Sequence, residues 1–590
     1  MEPLQFTSLA AMFFSNCARH GFGGWYKRID GQWTHYSREE LRDTAIYAAV
    51  ALNNRGLREN DSVGIIAPSS PEWLVADIAT QINRARVVPL FPNISSENFL
   101  YQCEDASVQI LIVNSIDDLD APLKVNLRFF KLVVCIDSQS DLPENGIFWN
   151  DLLEEGQRAS ERGNYYSWVD DQIQMIHPDD IFSIIYTSGS TGLPKGVELS
   201  HRNILVQIQN LQPLYRLESK TERALTVLPV AHVLERMVVY FYMLNGLTTY
   251  FADNPKNVAT ILTEIHPTVM VVVPRILERV YESMTAAGEN TKGIRRYLVK
   301  NAIKIAKIAT PHDRPTLIYR LYDRLVYRKM RNAIGGSFKL VVSGSSSLNK
   351  SILRFLLNIG IPIREGYGMT ECSPVVSANS LADNRPGSIG KPLAHLEVKI
   401  GDNNEILVKG DSVFKGYHNR PDINAMVFTE DGFYKTGDQG FFDADGYLNF
   451  TGRIKELLKT STGKYVCPNP IELEISRHPV IEQALVIAND RKFVSAVIWL
   501  NPEGARRMLK FSHDEFSIEK AMSSVRIRES INRHITRINR KLNHWEQIRK
   551  WTLISDELTT ESGLLTPTLK IRRTVAEKRY AEEIEKMYNS

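Results

Sequence analysis

The chain has little of what marks a disulfide scaffold, a membrane span or a nucleic-acid binder. Its 590 residues include five cysteines, Cys17, Cys103, Cys135, Cys372 and Cys467. They lie far apart, no pair has metal-ligand spacing, and an odd scattered set does not suggest a disulfide framework. Buried, reduced thiols in a cytoplasm are the simplest account. Long apolar runs are missing too. The longest, such as Val269–Val273, have strand length, and none could cross a bilayer. No basic region followed by an apolar stretch opens the chain, so no secretory signal is expected. There is no repeat period and no low-complexity tract. A net charge of +3 is small for this length and does not indicate whole-protein attraction to nucleic acid.

What is present is an ordinary globular composition, 43% hydrophobic and 24% charged. The length calls for at least two domains. Buried-strand candidates recur at Val63–Ile66, Gln109–Val113, Lys131–Ile136, Ile181–Ile185 and Val269–Val273. Helix-like segments such as Pro71–Asn83 and Pro255–Ile265 fall between them. This alternation predicts α/β layers with largely parallel sheets. After Phe414 short strands and turns dominate, as in Asp443–Phe450.

The most informative segment is Tyr186-Thr-Ser-Gly-Ser-Thr-Gly-Leu-Pro-Lys-Gly196. It follows the buried strand Ile181–Ile185. A strand that empties into a Gly/Ser/Thr loop ending in lysine suits phosphate. Glycines let backbone N–H groups approach oxygens, hydroxyls donate further bonds, and Lys195 adds a point charge. A flexible surface linker is the plain alternative. A Walker loop is rejected on spacing, because Lys195 sits between Pro194 and Gly196 instead of preceding Ser or Thr.

Further segments follow in order: Tyr367-Gly-Met-Thr-Glu371, Asp431-Gly-Phe-Tyr-Lys-Thr-Gly-Asp438, Gly452-Arg453 and Pro567-Thr-Leu-Lys570. Together with the loop they resemble the signature motifs of the adenylate-forming superfamily of acyl-CoA synthetases, adenylation domains and luciferases. The resemblance implies a large N-terminal domain of layered α/β subdomains, residues 1–453, which binds ATP and the acyl group. It implies a small mobile α+β C-terminal domain, residues 454–590, with its hinge near Lys455.

It also implies roles. Thr187, Ser188, Gly189, Ser190, Thr191, Gly192 and Lys195 would cover the β- and γ-phosphates. Thr187 and Glu371 would contact Mg²⁺, for which a hydroxyl and a carboxylate are suitable hard ligands. Tyr367, within Gly366–Thr370 (Gly366, Tyr367, Gly368, Thr370), would stack on adenine. Backbone at Gly344, Ser345 and Ser346 would line its other side. Asp438 would accept from the ribose hydroxyls with Arg453 nearby. Lys570 would catalyse adenylation by countering charge on the carboxylate and the α-phosphate; a solvated basic tail is the plain alternative there.

Leu228-Pro-Val-Ala-His-Val-Leu-Glu-Arg236 and His266–Glu278 resemble segments of long-chain acyl-CoA synthetases, which implies a long apolar acyl tunnel. His232 would lie near the acyl carboxylate, although a lone histidine is as readily structural. The family's S-G-G-A-P-L reads Ser343-Gly-Ser-Ser-Ser-Leu348 here, so a serine side chain is expected to narrow the acyl pocket.

The implied reaction makes acyl-AMP and pyrophosphate from a fatty acid and ATP, then transfers the acyl group to the thiol of CoA. An acyl carrier protein stays open as the acceptor, because its synthetases share these motifs. An adenylate-only ligase and an inactive binding homologue are the remaining alternatives.

Two basic segments stand apart from the motifs. Between Lys292 and Arg331 twelve cations face only Asp313 and Asp323. A second runs from Val525 to Leu542, with apolar residues at helical spacing. A packed amphipathic helix with a solvated face is the plain reading of each. The alternative is a docking surface for an anionic lipid headgroup, the phosphates of CoA or an acidic carrier protein. A cytoplasmic protein is expected, with a peripheral position on the inner face of a membrane left open.

Overall fold

A computed structural model of the protein describes residues 3–19, 21–92, 94–163, 165–187, 193–217, 221–254, 257–289, 293–308, 317–454, 457–512, 515–559, 562–566 and 570–589. The chain divides into two compact units. The first holds residues 1–399, 407–435 and 442–449; the second holds 400–406, 436–441 and 450–590. Among the described residues no helix is long and apolar enough to cross a membrane. All five cysteines are free thiols; four are buried and Cys467 is partly exposed, a departure from the expectation that all are buried.

The first unit contains two large sheets. One has seven strands in the order Gly146–Phe148, Leu132–Cys135, Val108–Val113, Ser62–Ile66, Arg86–Leu90, Ile181–Thr187 and Lys195–Ser200. All neighbours are parallel except the last pair, an antiparallel hairpin. The other sheet has nine strands, with a parallel centre that includes Arg223–Thr226, Val269–Val272, Leu340–Ser343 and Ile363–Gly368. All five expected strands form, within a few residues of their expected ends. Strands covered on both faces read as continuous apolar runs, which is why they are legible. The helix Pro71–Ile82 starts where Ser70 Oγ accepts from the Trp73 amide at 3.2 Å, with Pro71 in the first turn.

A buried ion pair pins this unit together. Arg236, on the helix Val233–Leu244, donates from Nε to Asp77 Oδ2 at 2.8 Å. Asp77 belongs to the helix Pro71–Ile82. Arg236 Nη1 reaches Ser183 Oγ, on the strand Ile181–Thr187, at 2.8 Å, and Tyr240 donates to Asp77 Oδ2 at 2.5 Å. The guanidinium lies over the rings of Phe182 and Trp73, 4.7 and 5.3 Å from their centres. The neighbouring Glu235 is fully buried beside Thr226, Val227 and Leu228, and desolvation drives its carboxyl well above the usual carboxylate range. Two residues of the segment that resembles long-chain synthetases therefore belong to the core.

The second unit is built on the mixed strands Ile481–Ile487, Val494–Leu500 and Ile548–Ile554. Alternate residues of the central strand serve two cores: Val494, Ala496, Ile498 and Leu500 on one face, Val497 and Trp499 on the other. The helix Val525–Asn539 packs on the first face through Ile527, Ile531, Ile535 and Ile538. This is the plain reading of the second basic segment, except that Val525 is exposed. The strands Leu396–Ile400, Glu405–Gly410, Tyr434–Phe442 and Leu448–Arg453 form a four-stranded sheet.

Candidate active site

The serine- and threonine-rich loop closes the antiparallel hairpin, with Thr187 opposite Lys195. Thr187 Oγ1 lies 3.5 Å from the Lys195 carbonyl oxygen, a long bond across the mouth of the loop. Ser188, Gly189, Ser190, Thr191 and Gly192 lie outside the described residues. Gly196 allows a third segment to pass close by: a Cβ there would stand 2.7 Å from Ile184 and 3.2 Å from His418. The His418 amide donates to the Gly196 carbonyl at 2.7 Å, and Val197 bridges Tyr417.

Tyr417 thereby enters the site, a residue the motif reading missed. Its ring lies under Lys195 Nζ, 5.0 Å away, and its hydroxyl donates to Glu371 Oε1 at 2.8 Å. The hydroxyl of Tyr434 follows at 3.4 Å. Burial first, and then the Glu371 carboxylate, push the Tyr417 phenol well up, so it stays an O–H donor. A Gly-Tyr pair in a turn-rich stretch is too common to stand out in sequence. Glu371 itself sits buried in the single turn Thr370–Cys372. Gln207 Nε2 holds that turn from the Cys372 and Val375 carbonyls, at 3.0 and 2.7 Å.

Among the described residues no group of three or more His, Cys, Asp or Glu gathers to hold a metal. One carboxylate and one hydroxyl, linked through Lys195 and Tyr417, do not fit a closed zinc site. They fit Mg²⁺, which takes its other ligands from water and phosphate.

Gly344, Ser345, Gly366, Tyr367 and Gly368, distant in sequence, line one cavity together with His232. It encloses about 800 Å³ of empty space, its open mouth included. Its lining is otherwise mainly apolar, with Met237, Phe241, Val271 and Val342 among the residues. Gly368 is required by packing, since a Cβ would fall 1.9 Å from the Pro374 oxygen. Ser345 adopts φ +69°, a left-handed conformation suited to the glycine it replaces. Ser346 is exposed and Thr370 is buried, and neither lines the cavity. His232 caps the helix Val233–Leu244: its Nδ1 accepts from the Leu234 amide at 3.2 Å. A ring whose Nδ1 accepts carries its proton on Nε2.

The second unit holds the other candidates. Asp438 is buried, and Arg453 Nε lies 3.0 Å from its Oδ1. Lys570 is half-buried, and residues 567–569 before it lie outside the described residues. The Lys570 amide donates to Thr566 Oγ1 at 3.1 Å, and the Thr566 amide returns to the Lys570 carbonyl at 2.8 Å. Leu564 and Leu565 belong to the core that holds Trp499 and Tyr580. Lys455 lies outside the described residues.

A family model for AMP-binding enzymes matches residues 16–418, and one for their C-terminal domain matches residues 455–590. The chain belongs to the AMP-binding enzyme family. Among its relatives in that family is a protein named long-chain-fatty-acid–CoA ligase FadD15 from Mycobacterium bovis. The two are 31% identical over 96% of this chain and 94% of the relative. The long-chain-fatty-acid–CoA ligase ACSBG2 of Xenopus laevis is 28% identical over 94% of this chain and 80% of its own. The fold is that of the adenylation domain of a Mycobacterium chelonae carboxylate reductase, at a TM-score of 0.75 and 20% identity, covering 99% of this chain and 91% of that one.

Proposed function

We propose that this AMP-binding enzyme activates a long-chain fatty acid and transfers it to CoA. The apolar cavity carries the reading: the glycines and Tyr367 of two nucleotide motifs wall the same space as His232 and an apolar interior. Relatives named long-chain-fatty-acid–CoA ligases over most of the chain support it.

In this reading a carboxylate oxygen attacks the α-phosphorus of ATP, the bond to the bridging oxygen breaks, and pyrophosphate leaves. Both reactants are anions, so positive charge and alignment are the catalytic need. The hairpin loop from Thr187 through Gly192 to Lys195 holds the outer phosphates, with the Tyr417 ring supporting the lysine. Mg²⁺, when bound at Thr187 and Glu371, neutralises phosphate charge. Tyr367 stacks on adenine opposite Gly344, Ser345 and Ser346, and Asp438 with Arg453 holds the ribose. His232 Nε2 donates to the acyl carboxylate, and Lys570 supplies the ammonium that favours the first half-reaction. In the second, the CoA sulfur attacks the acyl carbon, the thiol proton goes to solvent, and AMP leaves as its bond to the acyl carbon breaks. The domain boundary at residue 453 and the hinge at Lys455 belong to the same proposal.

The test supplies purified protein with ATP, Mg²⁺ and palmitate, and compares CoA with holo acyl carrier protein as the thiol. Palmitoyl-CoA, AMP and pyrophosphate are the expected products. Acylation of the carrier protein alone would overturn the assignment of the acceptor.

A further inference from the structure

The first basic segment forms helices that turn large apolar side chains outward. On the helix Gly293–Ile308, Ala302 and Ala306 are buried, while Ile294 and Tyr297 are 80% and 70% exposed. On the following helical stretch Leu317 is 82%, Ile318 60% and Leu321 54% exposed, and Leu325 continues the row. Spacings of three and four place Ile318, Leu321 and Leu325 on one helical face. A soluble surface rarely groups such residues unless they meet a partner.

Cations surround them. Arg295, Arg296, Lys300 and Lys304 accompany the first helix; Arg320, Arg324, Arg328 and Lys329 accompany the second, and all are exposed. Among the described residues of 293–332 the one acid is Asp323, which Arg331 engages at 2.6 Å. The helices are firmly seated on the first unit. The Tyr327 hydroxyl donates to the Ala302 carbonyl at 2.8 Å, Tyr319 to the Asn358 carbonyl at 2.5 Å, and Arg331 to the Ile359 carbonyl at 2.6 Å. Their inner faces are thus occupied, and the outward apolar row is presented on a fixed support.

We infer that this pair of helices docks on an anionic lipid bilayer. Apolar side chains enter the headgroup boundary, and the flanking arginines and lysines meet the negative surface. A bilayer complements both features at once and needs no matching pocket. It also dissolves the fatty acid of the proposed reaction, a point that rests on that reading; the docking itself does not.

The test mixes the whole protein with vesicles of phosphatidylcholine alone, or with about 30 mol% phosphatidylglycerol, and measures co-sedimentation. Two variants are compared, I318E/L321E and R320E/R324E, each with its thermal unfolding recorded to show that it is folded. Wild-type protein is expected to bind the anionic vesicles and not the neutral ones. Binding should weaken in about 0.5 M salt, where charge is screened within a few ångströms. Each variant should partition at least about tenfold less. Equal binding to both vesicles, or full binding by folded I318E/L321E, would overturn the inference. So would a concentration-dependent dimer, dispersed by I318E/L321E, with no vesicle binding; the face would then belong to a second copy of the chain. Binding is read without turnover, so failure of the fatty-acid reading would not be mistaken for failure of this one.

Discussion

The Tyr417 hydroxyl donates to Glu371 Oε1 at 2.8 Å while the Tyr417 ring lies 5.0 Å beneath the Lys195 ammonium. One side chain thus joins the lysine of the phosphate loop to the carboxylate proposed for Mg²⁺. Glu371 and Lys195 are 176 residues apart in the chain. Their relation depends on the segment 416–418 running beside the strand Lys195–Ser200.

Tyr417→Phe keeps the ring and removes the bond. A hydrogen bond to a charged group contributes about 1.5–3 kcal/mol, so kcat/KM for ATP should fall about tenfold to a hundredfold. The Mg²⁺ concentration for half-maximal rate should rise, with thermal stability little changed. An unaltered Mg²⁺ dependence would show that Tyr417 supports only the fold.

Arg236→Leu leaves the buried Asp77 without its cationic partner. Breaking such a pair typically costs about 3–5 kcal/mol, which urea unfolding would register. Replacing both residues by leucine should recover much of that loss. The bonds to Ser183 and Tyr240 make full recovery too much to expect.

Ser345 offers the opposite sign. Its left-handed backbone costs about 1–2 kcal/mol in a residue with a Cβ, partly offset by the greater freedom of glycine in the unfolded chain. Ser345→Gly should raise stability by about 0.5–1 kcal/mol and widen the cavity wall. The readouts are the melting temperature and kcat/KM across acids of different bulk. A lower melting temperature would contradict the strain argument.

His201 gives a pH dependence. Burial, and then the nearby Arg236, lower its pKa from 6.5 to about 3. Below pH 6.5 the unfolded chain binds a proton that the folded protein refuses. Stability is therefore lost as pH falls from 6.5 toward 3, by up to about 1.4 kcal/mol per unit. Urea unfolding of His201→Gln should show a shallower slope over that window than wild type.

Much of the scaffold could be read because buried parallel strands are written as apolar runs, as at Ile181–Ile185 and Val269–Val273. The nucleotide motifs could be read because glycine, serine and lysine at fixed spacing have few other uses. Tyr417 could not, since its importance comes from a neighbour distant in sequence. The roles of Glu235 and Arg236 were hidden for a related reason: a buried ion pair looks like any polar pair until Asp77 and Phe182 are placed around it. The helix Val525–Asn539 and the segment 293–332 have similar charge patterns. Only burial separates the one that packs its apolar row from the one that exposes it.

Lys570→Ala separates the half-reactions. Adenylation should be abolished, while thiol attack on preformed acyl-AMP stays largely intact. Equal loss of both in a folded variant would contradict the role proposed for Lys570.

The central claim is that the cavity joins nucleotide chemistry to a long acyl chain. ATP–pyrophosphate exchange measured without any thiol tests it most directly. Exchange that appears with palmitate, is absent without an acid and is weak with acetate is the predicted result. No exchange with palmitate, or exchange as fast with acetate or an amino acid, would contradict it.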